Sequence, residues 1–292
     1  MTVRFSVVIP CYNEGDYISE AINSLRAQSF GGGFEIIVVD NNCTDDTAEL
    51  ARGLGARVVR ATRPGVCHAR QAGTEISRGD IVVSADADTV YPTAWLDNID
   101  KSFRGDDRVV AVAGPCRYKD GPRWGRVYGR LLFGMVNLIY RLTGRVHYVT
   151  ATNFAFRRDR WPGYDVGLTQ GGDEFDLLRR LRKRGRVVYD HLNPTWTSAR
   201  RLTRGILYNF FITLVLYYLL AYALNRSLGR RIIGSAPVCR DSSPTCSRRI
   251  RAMMAVLAVL VLLPFAGTSE VVADTSHSVM LKFALLLDLD GD

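Results

Sequence analysis

Residues 34–47 read FEIIVVDNNCTDDT. Four apolar positions, Ile36 to Val39, all β-branched, run without a polar break and stop at Asp40. Such a run is a strand buried on both faces, as in a parallel sheet. The polar loop that follows leads into a helix, with Thr44 or Asp45 as candidate caps. The same unit recurs along the chain. RFSVVIP (4–10) is a buried strand, and the helix after it carries Tyr17, Ile18, Ala21, Ile22 and Leu25 at helical spacing. ARVVR (56–60), GDIVVSAD (79–86), RVVAVAG (108–114) and RVVYD (186–190) are further strands. A helix follows the third strand over about 68–77, and YPTAWLDNIDKSF (91–103) reads as a helix with its proline in the first turn. Alternating strands and helices predict an α/β fold with a mostly parallel sheet flanked by helices.

In such sheets ligands bind beyond the carboxyl ends of the strands. Pro10 to Glu14, Asp40 to Asn42 and Asp86 to Asp88 all fall there. Asp86 and Asp88, at strand spacing, face one side. Two carboxylates at a sheet edge suit Mg2+ or Mn2+, which share oxygen ligands with substrate phosphates; a turn and helix cap is the plainer alternative. Asp40 and Asn42 offer an acceptor and an amide to a base, Tyr12 a face for stacking, Glu14 a further acceptor. Arg63 and Arg70 are candidates to neutralise a diphosphate, and each is otherwise a solvated surface charge. No G-x-G-x-x-G follows the first strand, which disfavours a dinucleotide fold.

The 292 residues carry a formal charge of +9, concentrated as arginine beside apolar stretches. That favours a membrane surface or phosphate-bearing ligands over nucleic acid, for which no aromatic-interleaved motif is present. The six cysteines have no metal-ligand spacing. FSVVIP is too short for a signal peptide, so none is expected. Residues 125–142 are either a core helix or an interfacial one. The run 206–224 holds nineteen uncharged residues, enough to nearly span a bilayer core of ~30 Å. A weaker run covers 252–266. Arginines on both sides of the first run make its topology ambiguous under the positive-inside rule. The expected organisation is a catalytic domain over 1–200 and a membrane-associated region over 201–292.

SVVIPCYNE (6–14), IIVVDNNCTDDT (36–47) and VVSADADT (82–89) together resemble the nucleotide-sugar motifs of the family 2 glycosyltransferases, which have the GT-A fold. GVCHARQAG (65–73), ATNFAFRRD (151–159) and GGDEFDLLRRLRKRG (171–185) resemble its later segments, and TSARR (197–201) one seen in some members. The resemblance covers about residues 4–190. It implies an inverting transfer from a nucleotide-diphosphate sugar with a divalent metal. It assigns Tyr12, Glu14, Asp40 and Asp86 to the donor, Asp88 with Asp86 to the metal, and Asn153 to the acceptor side; Pro10, Asn42 and Arg70, read from their place beside the same rim, join the expected donor set. The family's acidic pair reads Glu-Asp; here it is Asp173-Glu174. Register from Asp176-Leu177 favours Glu174 as the base. A helix N-cap at Asp173 would also lower that residue's pKa and make it the poorer base; Asp173 remains the alternative. Q-x-x-R-W, the mark of the family's processive synthases, is missing, so transfer of a single sugar is expected. The acceptor is expected to be lipid-linked or cell-envelope material, with the catalytic domain on the cytoplasmic face of the cell membrane. The rivals are a sugar-phosphate nucleotidyltransferase and a non-catalytic nucleotide-sugar binder.

Overall fold

The computed structural model describes residues 3–167 and 172–205, and Ser227. Its centre is β1 (Val3–Cys11), flanked by β2 (Gly33–Asp40) and then β3 (Arg57–Arg60) on one side, all parallel. On the other side β1 pairs in parallel with β4 (Ile81–Ser84). Beyond β4 lie β8 (Phe154–Arg157), β6 (Val109–Ala113) and β9 (Arg186–Tyr189), giving the order β3-β2-β1-β4-β8-β6-β9. β8 is antiparallel to both neighbours; its FAFR sequence carries no local mark of that direction. A second sheet joins β5 (Thr89–Val90), β10 (Thr195–Thr197) and β7 (Cys116–Tyr118).

Period-two alternation divides the interior between the sheet's two faces. Phe5, Val7, Ile9 and Cys11 of β1 face a cluster with Ile18, Ile22 and Leu25 of α1 (Gly15–Arg26) and Trp95, Ile99 and Phe103 of α4 (Trp95–Arg104). Val8 of β1 and Ile37 and Val39 of β2 face the opposite cluster, with Ala69 of α3 (Val66–Glu75), Val136 of α5 (Arg123–Thr143) and Leu177 and Leu181 of α6 (Leu177–Leu181). Phe5, Ile9, Ile18 and Trp95 are wholly buried, each worth about 1.5–3 kcal/mol or more. Gly73 sets how closely α3 lies on the sheet: a Cβ there would stand 2.4 Å from Val8 Cγ1 and 2.8 Å from Val39 Cγ2. That close seat brings Arg70, one turn earlier, to the end of β4.

Three expectations are corrected. The helix expected from Tyr91 begins at Trp95, because Thr89 and Val90 are taken into the second sheet as β5 and the chain turns at Pro92. The helix expected over 171–185 is α-helical only at Leu177–Leu181, preceded by a π-helical turn at Gly172–Asp176, so Asp176 rather than Asp173 stands at the α-helical N-cap. β4 ends at Ser84, so strand alternation does not set the directions of Asp86 and Asp88. Residues 125–142 fall within the single helix α5.

The chain divides into two compact units, Met1–Asn209 and Phe210–Asp292. The apolar runs 206–224 and 252–266 lie outside the described residues; among the described residues no helix is long and apolar enough to cross a membrane.

Candidate active site

Parallel register brings three loops to one rim. Cys11 pairs with Asp40, so β1 and β2 end level, while β4 ends at Ser84 opposite Val8 and its exit follows the last residues of β1, with the Ala85 N–H still bonded to the Val8 carbonyl. The buried Cys11 thiol records the result. Its pKa is raised first by burial and then by the negative charges of Glu14, Asp86 and Asp40, one from each loop, with a further contribution from Cys43. Like charges gathered this closely need cations among them, and two arginines supply them.

The first is Arg70 on α3. Only 2 % of its side chain is exposed. It donates from Nη2 to Asp86 Oδ1 at 2.6 Å, and from Nη1 to Ser84 Oγ at 2.5 Å and the Ala85 carbonyl at 3.3 Å. Asp86 keeps 31 % of its side chain exposed and faces the rim. Its backbone is fixed by Tyr91, whose hydroxyl accepts from the Asp86 N–H at 2.8 Å and donates to the Asp86 carbonyl at 3.1 Å. Burial, then the nearby Asp86 carboxylate, raises the Tyr91 pKa well above its ordinary value and keeps the phenol protonated for this role. Asp86→Ala removes the 2.6 Å charge-assisted bond from the buried Arg70 guanidinium. We expect it to cost about 3 kcal/mol of stability, read by urea denaturation, with Asp86→Asn losing less.

The second cation, Arg200, arrives from the other end of the chain. β10 pairs antiparallel with β5, and the Ser198 N–H donates to the Asp88 carbonyl at 3.0 Å, which carries the following residues over the rim. Arg200 Nη2 donates to Glu14 Oε1 at 2.9 Å and stands 2.9 Å from Asp88 Oδ2, while Nη1 lies 2.8 Å from Glu14 Oε2. Its guanidinium sits 4.6 Å from the Tyr17 ring centre. Thr197 Oγ1 donates to Asp88 Oδ1 at 3.1 Å. Glu14, expected in the donor pocket, is therefore a buried partner of Arg200. Arg200 had no assigned role in the sequence; its only signal was the TSARR resemblance.

Hydrogen bonds between loops stiffen the β1 and β2 exits. Asn13, at φ 52°, accepts the Thr44 N–H at 2.7 Å, and Asp45 accepts from the Gly15 N–H and from Thr47. Asp40 accepts the Cys43 N–H at 2.8 Å, which turns the chain and leaves its carboxylate at the strand end. Asn41 is buried and ties this loop to the next, donating to the carbonyls of Ala61 and Arg63 and accepting from Gly65. Asn42 has φ 65°, and its side-chain amide nitrogen is buried without a hydrogen-bond partner. Pro10, the last residue but one of β1, is partly exposed, and Tyr12 presents 48 % of its surface to solvent. A flat ring beside polar loop ends can stack a base.

The acceptor-side residues meet at the turn 151–153, which packs on the ends of β4 and β10. Glu174, half-buried in the π-helical turn, accepts the Ala151 N–H at 3.2 Å. Asp176 is buried and pairs with Arg179 and Arg180. Asn153 is 2 % exposed and committed to the scaffold. It accepts from Trp95 Nε1 at 2.9 Å and donates to the Pro115 and Asn193 carbonyls at 3.0 and 2.7 Å. Its amide therefore sets the 151–153 turn instead of presenting itself to a ligand. The Cys116 thiol lies between the two sides: burial pushes it up to about 12, and the charges of Asp86 and Asp88 add to the rise.

The donor set can be tested against a divalent ion. Among the described residues no cluster of three acids or imidazoles could hold a metal by protein ligands alone. Mg2+ and Mn2+ bound to nucleotides need fewer: one or two carboxylates, completed by phosphate oxygens and water. Asp86, partly exposed, and Asp88, whose oxygens are held by Thr197 and Arg200, are the two carboxylates of this rim that fit that mode.

A mostly parallel sheet with acids and arginines on its carboxyl rim has the architecture in which α/β proteins bind ligands beyond the strand ends. The profile of Glycosyl transferase family 2 matches residues 6–160, and the chain belongs to that family. This decides for the glycosyltransferase expectation over the nucleotidyltransferase and the non-catalytic binder. The chain is 41 % identical over 189 residues to an uncharacterized glycosyltransferase of Mycobacterium tuberculosis, covering 63 % of this chain and 81 % of that one. It is 35 % identical over 155 residues to an undecaprenyl-phosphate 4-deoxy-4-formamido-L-arabinose transferase of Edwardsiella ictaluri, covering 49 % of this chain and 46 % of the relative. Its fold is similar to the crystal structure of glucosyl-3-phosphoglycerate synthase from Mycobacterium tuberculosis in complex with Mn2+, uridine-diphosphate-glucose and phosphoglyceric acid. The TM-score there is 0.53 at 22 % identity, over 69 % of this chain and 74 % of the other.

Proposed function

We propose that the chain is a metal-dependent, inverting glycosyltransferase. It moves a single sugar from a nucleotide-diphosphate sugar to a lipid-linked or cell-envelope acceptor at the cytoplasmic face of the membrane. The observation that carries this reading is the rim itself: Asp86 and Asp88 stand together at the end of β4, each with a fixed arginine, Arg70 and Arg200.

Tyr12 stacks the base, and Asp40 and Asn42 hydrogen-bond to the nucleoside. Asp86 and Asp88 would hold Mg2+ or Mn2+, and the ion, when bound, would supply positive charge for the departing nucleotide. Arg70 fixes the Asp86 carboxylate. The acceptor oxygen attacks the anomeric carbon from the face opposite the diphosphate. The new C–O bond forms as the bond to the β-phosphate oxygen breaks, which inverts the centre. Glu174, oriented by the Ala151 N–H, takes the hydroxyl proton. Asn153 acts through the 151–153 turn. The membrane reading rests on the long uncharged run 206–224 and the arginine excess, and is supported by the lipid-phosphate acceptor in the name of the Edwardsiella relative.

The test compares wild type with Glu174→Gln for transfer and for donor binding in Mn2+. Loss of a proton acceptor lowers kcat by about 100-fold or more with donor affinity kept. Unchanged kcat removes the base from the account, as for an acceptor that is already an anionic phosphate.

A further inference from the structure

The helix α5 is apolar on the side that faces away from the protein. Gly125, Gly129, Phe133 and Val136 are buried and form its inner face. Val127, Leu131, Met135, Leu138 and Leu142 are exposed by 52, 69, 56, 50 and 77 %. At about 100° per residue these five fall within a stripe of roughly 80°, directly opposite the inner face. Arg123, Arg126, Arg130 and Arg141, all exposed, run along one flank of the stripe, and Arg145 follows the left-handed turn at Gly144. No acid lies anywhere in the helix. A helix face left to water carries polar residues, so this surface is built to be covered.

We infer that the outer face of α5 docks on an anionic lipid surface, lying in the headgroup region with its leucines in the acyl boundary. Charge decides the occupant. An apolar stripe beside a row of arginines matches a layer that offers hydrocarbon below and phosphate beside it. A second copy meeting α5 through a two-fold axis would bring arginine flank to arginine flank, with no helix acid to offset them. The chain's own run 206–224 has no charge and leaves the arginines unmatched. The inference deepens the membrane-facing reading above by naming a surface for it, and rests on that reading only for its biological sense.

The test uses the full chain carrying Leu131→Trp, a large residue at an exposed position, with phosphatidylcholine vesicles that contain or lack brominated phosphatidylglycerol. The added tryptophan is expected to shift to the blue and to be quenched on the anionic vesicles only, with high salt reversing both. Leu138→Glu with Leu142→Glu should weaken vesicle association about tenfold or more, with an unchanged circular dichroism spectrum. Flotation of the chain without quenching overturns the α5 inference and leaves the membrane reading standing. Failure to associate with any vesicle overturns both. A blue shift before vesicles are added means that protein covers the stripe, and overturns the lipid assignment.

Discussion

Asp88→Ala is expected to lower sugar transfer by about three orders of magnitude, the scale of losing electrostatic stabilisation of a leaving group, while the fold survives. Structural economy explains the second half. Asp88 accepts from Thr197 and pairs with Arg200. When its carboxylate goes, Arg200 keeps both contacts to Glu14 and its place over Tyr17. The lost hydrogen bond from Thr197 costs about 1–2 kcal/mol. Transfer measured over a Mn2+ series checks the first half: the variant should show no rise that wild type shows. The pattern differs from Asp86→Ala, where the loss of the Arg70 partner makes stability fall with activity.

Asn153→Ala is expected to cost about 3–5 kcal/mol, the largest stability effect among the candidate site residues. The substitution strips a buried side chain that satisfies three groups at once: the Trp95 indole and the Pro115 and Asn193 carbonyls. Its fit is tight enough that a Cβ at Gly114 would come within 2.4 Å of the Asn153 amide nitrogen. For a domain of this size the melting temperature should drop by about 10 °C. Scanning calorimetry reads it directly. A drop of a degree or two, together with a raised KM for the acceptor, would return Asn153 to the ligand-contacting role its motif suggested.

The sheet's central strands were legible because β1, β2 and β4 are buried on both faces and so read as unbroken apolar runs that end in polar residues. Parallel pairing directs the exits of all three to the same edge of the sheet, and with it the convergence of Asp40 and Asp86. Arg200 was not legible as a partner. Its contact to Glu14 spans 186 positions, and a pairing of that range leaves no local pattern. Asn153 resembled a loop residue beside FAF; only the placement of Trp95 on the facing helix buries it. The π-helical turn before α6 was hidden because its sequence satisfies ordinary helical spacing as well. The outward stripe of α5 was visible as apolar content, but which face the protein would use depended on where β7 and the sheet lie.

The central claim is that Asp86 and Asp88 hold a divalent ion together with a nucleoside diphosphate. Calorimetric titration of uridine, guanosine and thymidine diphosphates, with and without Mn2+, tests it most directly in wild type and Asp88→Asn. One of the three should bind wild type at least about tenfold more tightly with Mn2+ present, and the substituted protein should lose that gain. Binding that is equally tight in both proteins and indifferent to Mn2+ would contradict the account.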